Sequence, residues 1–478
     1  MIIIVLQKTK TMKKYDIIVI GMGPAGMAVS AMGASMGLDV LAVEKHKVGG
    51  ECLNVGCIPS KALLKAAEAN NTAHNLRKYG IESDIVAKHN DPMKTVRDKI
   101  SGINNKKFMR VFKDVDLVIG KGNASFVNSK TITIDGKEYT GKKIFIGTGT
   151  EPFIPPIPGL KDVPRLTNVN IFEIKEMPKS LTIIGGGAIG IEMAQAFNRL
   201  GTKVNLLHMD AHLAPMGDEE AARILENKFH EEGIGVYNKA SITKVEQVNG
   251  IIRTHTKDEI FESEQILVAT GRKPVLDPLK LDNAGIKYTK KGIDVDQHMR
   301  TNKKHIYAIG DCNGKNLLSH AAMHQGMLAL MDAVSPFSLK RLRRNKYLVP
   351  WSIFTQPEIA QVGITEKEAK EKGLKYEIVK KQYESYGRAV TDGAPEGFVK
   401  IIVGKRGKIY GATIVGSVAS ELIHEWAIAI QYNRKIYDIM MVQHSFPTMS
   451  MLNKMVAEDW VMKKMESKLI KKMVKFFV

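Results

Sequence analysis

An α/β chain with two Rossmann-like βαβ units and a C-terminal α+β module is what this sequence predicts. Two glycine-rich turns carry the prediction, each set between an apolar strand and a helix of small residues. A change of pattern near Val349, from strand–helix alternation to strands followed by helices, carries the α+β end.

In the first unit, Tyr15–Ile20 reads as a buried parallel strand. Gly21-Met22-Gly23-Pro24-Ala25-Gly26 then opens a helix to about Met36, and Asp39–Glu44 is the second strand. Glycines at such a turn let backbone approach a pyrophosphate at a helix N-terminus. Glu44, at the end of the second strand, is placed to bind a ribose diol. The pattern recurs as Leu181–Ile184, Gly185-Gly186-Gly187-Ala188-Ile189-Gly190, a helix to Leu200 and a strand over Lys203–Leu207. Two such units imply two dinucleotides. Glu151–Gly159 is a Pro-rich linker, and Arg272-Lys273-Pro274 marks the return. In the last module Phe398–Val403 and Lys408–Val415 read as strands and Ser420–Tyr432 as a helix.

Two of the three cysteines lie five residues apart in Gly49-Gly50-Glu51-Cys52-Leu53-Asn54-Val55-Gly56-Cys57-Ile58-Pro59-Ser60-Lys61. Pro59 suits the start of a helix, so Cys57 is expected at a helix N-terminus, where the dipole and Lys61 favour thiolate. A dithiol shortly after a dinucleotide-binding unit points to a disulfide that exchanges electrons with a flavin. Because the first unit adjoins it, that unit should hold the flavin and the second a nicotinamide. A structural disulfide or an idle pair is the plainer alternative, but three cysteines in 478 residues make no disulfide framework.

Composition is that of an ordinary globular enzyme: 44% hydrophobic and 25% charged residues, enough for roughly three domains. The formal charge of +20 raises nucleic acid or anionic lipid as partners. The lysines are scattered, however, and no nucleic-acid motif accompanies them, so no nucleic-acid partner is expected. No apolar run approaches the ~20 residues of a membrane span. Met1–Leu6 is too short for a signal core, and Met12 is an alternative start; the expected location is cytoplasmic. No metal site is expected.

The chain resembles the pyridine-nucleotide disulfide oxidoreductases, which include dihydrolipoamide dehydrogenase, glutathione reductase and mercuric reductase. The resemblance runs from about Lys14 to Lys454 through the motifs above, with Gly147-Thr148-Gly149-Thr150, Ala269-Thr270-Gly271-Arg272, Tyr307-Ala308-Ile309-Gly310-Asp311 and Phe354-Thr355-Gln356-Pro357-Glu358 in family order. It implies an FAD-binding domain over 12–156 and 273–346, an NAD(P)-binding domain over 157–272, a dimerisation domain over 347–465 and a homodimer, with 466–478 a basic amphipathic tail. It makes Cys57 the thiol nearest the flavin, Cys52 the interchange thiol, and Lys61 a flavin neighbour paired with Glu192. The implied FAD contacts are Gly21, Gly23, Pro24, Ala25, Gly26, Glu44, Lys45, Gly50, Lys61, Thr148, Gly149, Gly310, Asp311 and Ala321. Those to NAD(P) are Gly185, Gly187, Ala188, Ile189, Gly190, His208 and Gly271. Ser319 is expected to cap a helix aimed at the flavin, with Cys312 and His320 structural.

Two departures stand out. The family's His-Pro-Thr…Glu element, whose His is the acid–base, reads here Ser445-Phe446-Pro447-Thr448-Met449-Ser450-Met451, with Phe446 and Met451 in place of His and Glu. Neither can move a proton. His444, ~7 Å away on an extended segment, is a candidate substitute or simply a polar loop residue. Mercuric reductases also lack this His but carry a C-terminal cysteine pair, and no cysteine follows Cys312. His208 stands where NAD-specific relatives place an acid, so relaxed coenzyme choice is expected.

Three functions compete: an NAD(P)H-linked dithiol–disulfide oxidoreductase like dihydrolipoamide dehydrogenase, acting on a small-molecule or protein-bound substrate; a reductase of a metal ion, quinone or oxidised thiol; and an electron-transfer subunit docked to a membrane. In the tail, Met462, Met465, Leu469 and Met473 recur at helical spacing with lysines between, before Phe476-Phe477-Val478. That pattern fits a longer interface helix, or one on an anionic membrane or acidic partner with Phe477 inserted.

Overall fold

The protein is described by a computed structural model covering residues 13–82, 91–103 and 106–477. Residues 1–12, with the candidate start Met12, lie outside the described residues, as do Val478 and the side chains of Leu469, Met473 and Phe477.

Two compact units emerge. The first gathers the chain to Ile58, residues 99–151 and residues 272–346. Its seven-stranded sheet runs in the order Asp116–Ile119, Val40–Glu44, Lys14–Ile20, Lys137–Ile146, Thr131–Ile134, Ser125–Asn128, and Ile306–Ala308 adds in parallel to Lys137–Ile146. The central strand is apolar at every position from Ile17 to Ile20, as a strand covered on both faces requires. The helix Pro24–Ser35 follows it, as predicted, and the helix Ser319–Val334 crosses so closely that a Cβ on Gly326 would lie 2.5 Å from the Ala25 carbonyl oxygen.

The second unit gathers residues 59–98, 152–271 and 347 onward. A four-stranded parallel sheet, ordered Gly235–Tyr237, Lys203–Leu207, Ser180–Ile184, Gln265–Val268, carries the second fingerprint helix Ala188–Arg199. A three-stranded antiparallel sheet over 242–263 is appended. The last module is a five-stranded antiparallel sheet, with Phe398–Gly404 and Ile409–Gly416 among its inner strands. The helices Ala419–Gln431 and Met451–Met465 pack Trp426, Leu452, Val456 and Trp460 into its core. Both strands and the helix expected there form within a residue or two of their predicted ends.

Candidate active site

The first fingerprint is a cradle of close backbone contacts with one opening. A Cβ on Gly26 would lie 1.8 Å from the Gly21 carbonyl oxygen, and one on Gly21, at φ +95°, would lie 2.5 Å from that of Gly147. At Gly23 a Cβ would meet nothing within 4 Å. Pro24, Ala25 and Gly26 form the first turn of the helix behind it. Glu44 is buried at the strand end and accepts hydrogen bonds from the Met22 and His46 amides, both at 2.8 Å; Lys45 beside it is exposed. The second fingerprint repeats the device. A Cβ on Gly190 would lie 1.9 Å from the Gly185 carbonyl oxygen, whereas Gly187, ahead of Ala188 and Ile189, is open.

Cys52 lies in the helix Gly50–Val55 and Cys57 is the first residue of the helix Cys57–His74, with Gly56 breaking the chain between them. Cys57 therefore starts the helix two residues ahead of Pro59. No disulfide joins the two sulfurs in this structure. The Cys57 thiol beside it and its own burial push the Cys52 thiol well above the usual range. Ser319, expected as a cap, is instead the first helical residue: Leu318 holds the extended backbone of the cap, and the Ser319 hydroxyl sits 3.3 Å from Cys57 Sγ. Asp311 is close by. Burial pushes its carboxyl up to about 6, against the opposing pull of the Arg272 guanidinium, and the hydrogen bond it accepts from the Thr150 hydroxyl is long at 3.4 Å. Gly310 donates its amide to Gln325, and Ala321 is buried in the first turn of the same helix as Ser319. Cys312 is wholly buried, bonds the Ile146 and Ile309 carbonyls, and is pushed up to about 12 by desolvation, so it is structural.

In the second unit Lys61 pairs with Glu192 at 2.9 and 2.7 Å, its ammonium lying 4.4 Å over the Phe354 ring. The Glu192 carboxylate is buried and also accepts the Phe354 amide. His208 is buried. Its ring accepts the Gly186 amide at Nδ1, 3.1 Å away, and its Nε2 faces the His212 carbonyl at 2.8 Å, so both nitrogens are engaged inside the unit. His444 is similarly held, Nδ1 by the Val442 carbonyl at 3.1 Å and Nε2 by Glu425 at 3.0 Å. Phe446 is 77% exposed, and Met451 packs against the module core.

Residues 15–326 match the family described as pyridine nucleotide-disulphide oxidoreductase, and residues 349–456 match the dimerisation domain of that family. The chain belongs to the pyridine nucleotide-disulphide oxidoreductases. Among curated relatives, dihydrolipoyl dehydrogenase of Thermus scotoductus is 36% identical over 92% of this chain and 96% of its own length. The Chlamydia pneumoniae dihydrolipoyl dehydrogenase is 33% identical over 92% and 95%. Mercuric reductase of Bacillus cereus is 33% identical over 91% of this chain and 70% of its own. Among solved structures, the Cu(II) complex of the HOCl-induced flavoprotein disulfide reductase RclA from Escherichia coli superposes with a TM-score of 0.84, at 25% identity over 94% of this chain and 99% of that one.

Members of the family are FAD-dependent enzymes that use NAD(P)H, and the residues here fit both groups. The open flank of Gly23, the buried Glu44 and an Asp311 carboxylate short of close donors suit a dinucleotide with hydroxyls to offer. The Thr148 hydroxyl is buried with no hydrogen-bond partner among the described residues. The open flank of Gly187 suits the second dinucleotide.

Sequence reasoning missed two contacts. The hydroxyl of Ser319 reaches Cys57 across more than 260 residues. Arg272 binds Glu51, the neighbour of Cys52, and reaches the Thr150 hydroxyl at 2.7 Å and carbonyl at 2.9 Å. Arg272 was visible as a motif end, but nothing in the spacing named Glu51 as its partner.

Proposed function

We propose that this enzyme carries electrons from NAD(P)H to a dithiol–disulfide substrate met by Cys52, which is small or carried on a protein. Bound FAD supplies hydride acceptance from the nicotinamide and two-electron exchange with the cysteine pair. Gly21, Gly23, Gly26, Glu44, Thr148 and Asp311 hold it, and Gly185, Gly187 and Gly190 hold the nicotinamide dinucleotide. The observation that carries the reading is the Cys52–Cys57 thiol pair, the two sulfurs side by side, with Ser319 Oγ 3.3 Å from Cys57 Sγ. A hydroxyl there donates to a Cys57 thiolate, and the helix start adds its partial positive charge. The thiol of Cys52, pushed up beside Cys57, is the one that keeps its proton when the other loses it.

Turnover then runs through the two sulfurs. Cys52 Sγ attacks one sulfur of the substrate disulfide as its proton passes to the other, departing sulfur, forming a mixed disulfide and releasing the first product as a thiol. Cys57 thiolate attacks Cys52 Sγ, releases the second product thiolate and leaves the Cys52–Cys57 disulfide for re-reduction. The dimerisation domain supports a homodimer, and three cysteines in 478 residues, too few for a structural disulfide framework, suit a cytoplasmic enzyme. The test is anaerobic turnover of FAD-loaded protein with NADH or NADPH and lipoamide. Cys52→Ser has to abolish it while sparing reduction of the flavin; full turnover in that variant ends the reading.

A second acceptor, a soft metal ion, is favoured by one observation. An exposed Phe446 and a core-packed Met451 provide no proton carrier where the resemblance expects a His–Glu pair. A Cu(II) or Hg(II) ion taken by thiolates needs none. Mercuric reductase and the Cu(II) complex of RclA are among the relatives. Faster NAD(P)H oxidation with Cu(II) than with lipoamide favours the metal ion, and the reverse favours the disulfide.

A further inference from the structure

The last described helix of the chain carries none of the redox-site residues. Trp460 is the last buried residue among those whose side chains are described; every such residue from Val461 to Phe476 is at least partly exposed. The chain nevertheless forms a new helix, Lys468–Phe477, started by Ser467, whose hydroxyl accepts the Ile470 amide at 3.4 Å. At 100° per residue, Lys468, Lys471, Lys472 and Lys475 fall within about 100° of arc. The remaining positions of KLIKKMVKFF are all apolar and fill the rest of the circle. Lys468, Lys471, Lys472 and Lys475 make no ion pair among the described residues. Six lysines stand against one glutamate between Lys463 and Lys475.

We infer that this helix lies on an anionic lipid bilayer, its apolar face in the acyl boundary and its lysines among the headgroups. Charge complementarity selects the occupant. An acidic protein surface satisfies the lysines and leaves Val474, 55% exposed, in water, whereas an anionic bilayer interface takes both faces at once. Ten residues rise only about 15 Å, half a hydrocarbon core, so the helix lies in the plane of the interface. Among the described residues no helix is long and apolar enough to cross a membrane.

The test is co-sedimentation of FAD-loaded protein with vesicles of phosphatidylcholine, alone or mixed with phosphatidylglycerol. Three chains are compared: intact, ending at Met465, and K471E/K472E. Intact protein should pellet with the anionic vesicles and stay in solution with phosphatidylcholine alone. The shortened chain should stay in solution with both, at unchanged flavin content and unchanged sedimentation velocity of the assembly. Each lysine near an anionic surface is worth about a fivefold factor in partitioning, so removing two weakens binding about thirtyfold before any repulsion from the new glutamates. Intact protein that never pellets, a shortened chain that pellets equally, or truncation that splits the assembly overturns the inference. The last outcome makes the helix part of the subunit interface.

Discussion

The two open glycines, Gly23 and Gly187, separate what the fold needs from what the cofactors need. Gly26→Ala places a methyl 1.8 Å from a backbone oxygen, roughly 1.5 Å short of ordinary contact, and the turn has to break. Gly23→Ala meets no protein atom within 4 Å, and φ −71°, ψ −175° is ordinary extended backbone for alanine. At this N-cap the change costs about 0.5 kcal/mol of helix stability, offset by a similar gain from a stiffer unfolded chain. The FAD-free protein should therefore melt within a degree or two of wild type. A methyl in the path of a pyrophosphate is overpacking at about 1–3 kcal/mol, a factor of roughly 5 to 150 in FAD affinity. The assay is titration of FAD into FAD-free protein, read by flavin fluorescence, beside its thermal melt. Gly187→Ala is the internal control, leaving FAD affinity unchanged and weakening NAD(P)H by the same range. Wild-type FAD affinity in Gly23→Ala refutes the cradle, and loss of FAD in Gly187→Ala means the two fingerprints have been assigned the wrong way round.

Ser319→Ala removes a hydrogen bond to a charged sulfur, about 1.5–3 kcal/mol, so iodoacetamide alkylation of Cys57 in Cys52→Ser should need a pH about one to two units higher; an unmoved alkylation profile shows that the hydroxyl does not hold the thiolate. Phe446→His with Met451→Glu should raise lipoamide turnover, by up to the ~10²-fold that a general base supplies at the low end, and unchanged rates show that this position lies away from the chemistry. His208→Ala should lower the melting temperature but leave the NADH-to-NADPH ratio of kcat/KM within about threefold, because both ring nitrogens serve the fold; a tenfold change in that ratio makes the ring a coenzyme contact. Asp311, pushed up to about 6, binds its proton more tightly folded than unfolded, so FAD-free protein should lose about 2–3 kcal/mol as pH rises from about 4 to 6 and stay level above. Denaturant melts of Asp311→Asn should show no such fall, and an identical fall in that variant places the titration elsewhere.

Much of this fold was legible because its signals are local. The strands Lys14–Ile20 and Ser180–Ile184 end in runs rich in β-branched and aliphatic residues followed by glycine turns, and the helices behind them begin directly after Gly23 and Gly187. The strand over Lys203–Leu207 was expected at the ends it has. Departures concern helix starts. Cys57 is helical before Pro59 because Gly56 already breaks the preceding turn, and Ser319 is helical because Leu318 takes the extended conformation of the cap. Either residue could have taken either place on propensity alone, and long-range contact decides between them.

The site was legible in its residues and opaque in its pairings. Motif spacing identifies Cys52, Cys57 and Asp311, but an acid's environment is not a property of its neighbours in sequence. Asp311 is pushed up because the fold dries it. The same limit explains His208 and His444. Each is a polar residue at a position where the resemblance looks for a functional group, and each spends both ring nitrogens on carbonyl, amide or carboxylate partners within its own unit. A histidine whose two nitrogens are engaged has no lone pair or proton to lend without first breaking one of those bonds, at about 0.5–1.5 kcal/mol for a neutral partner and more for Glu425. Beside the dithiol itself, the hydroxyl of Ser319 lies 3.3 Å from Cys57 Sγ, a contact that sequence spacing does not announce.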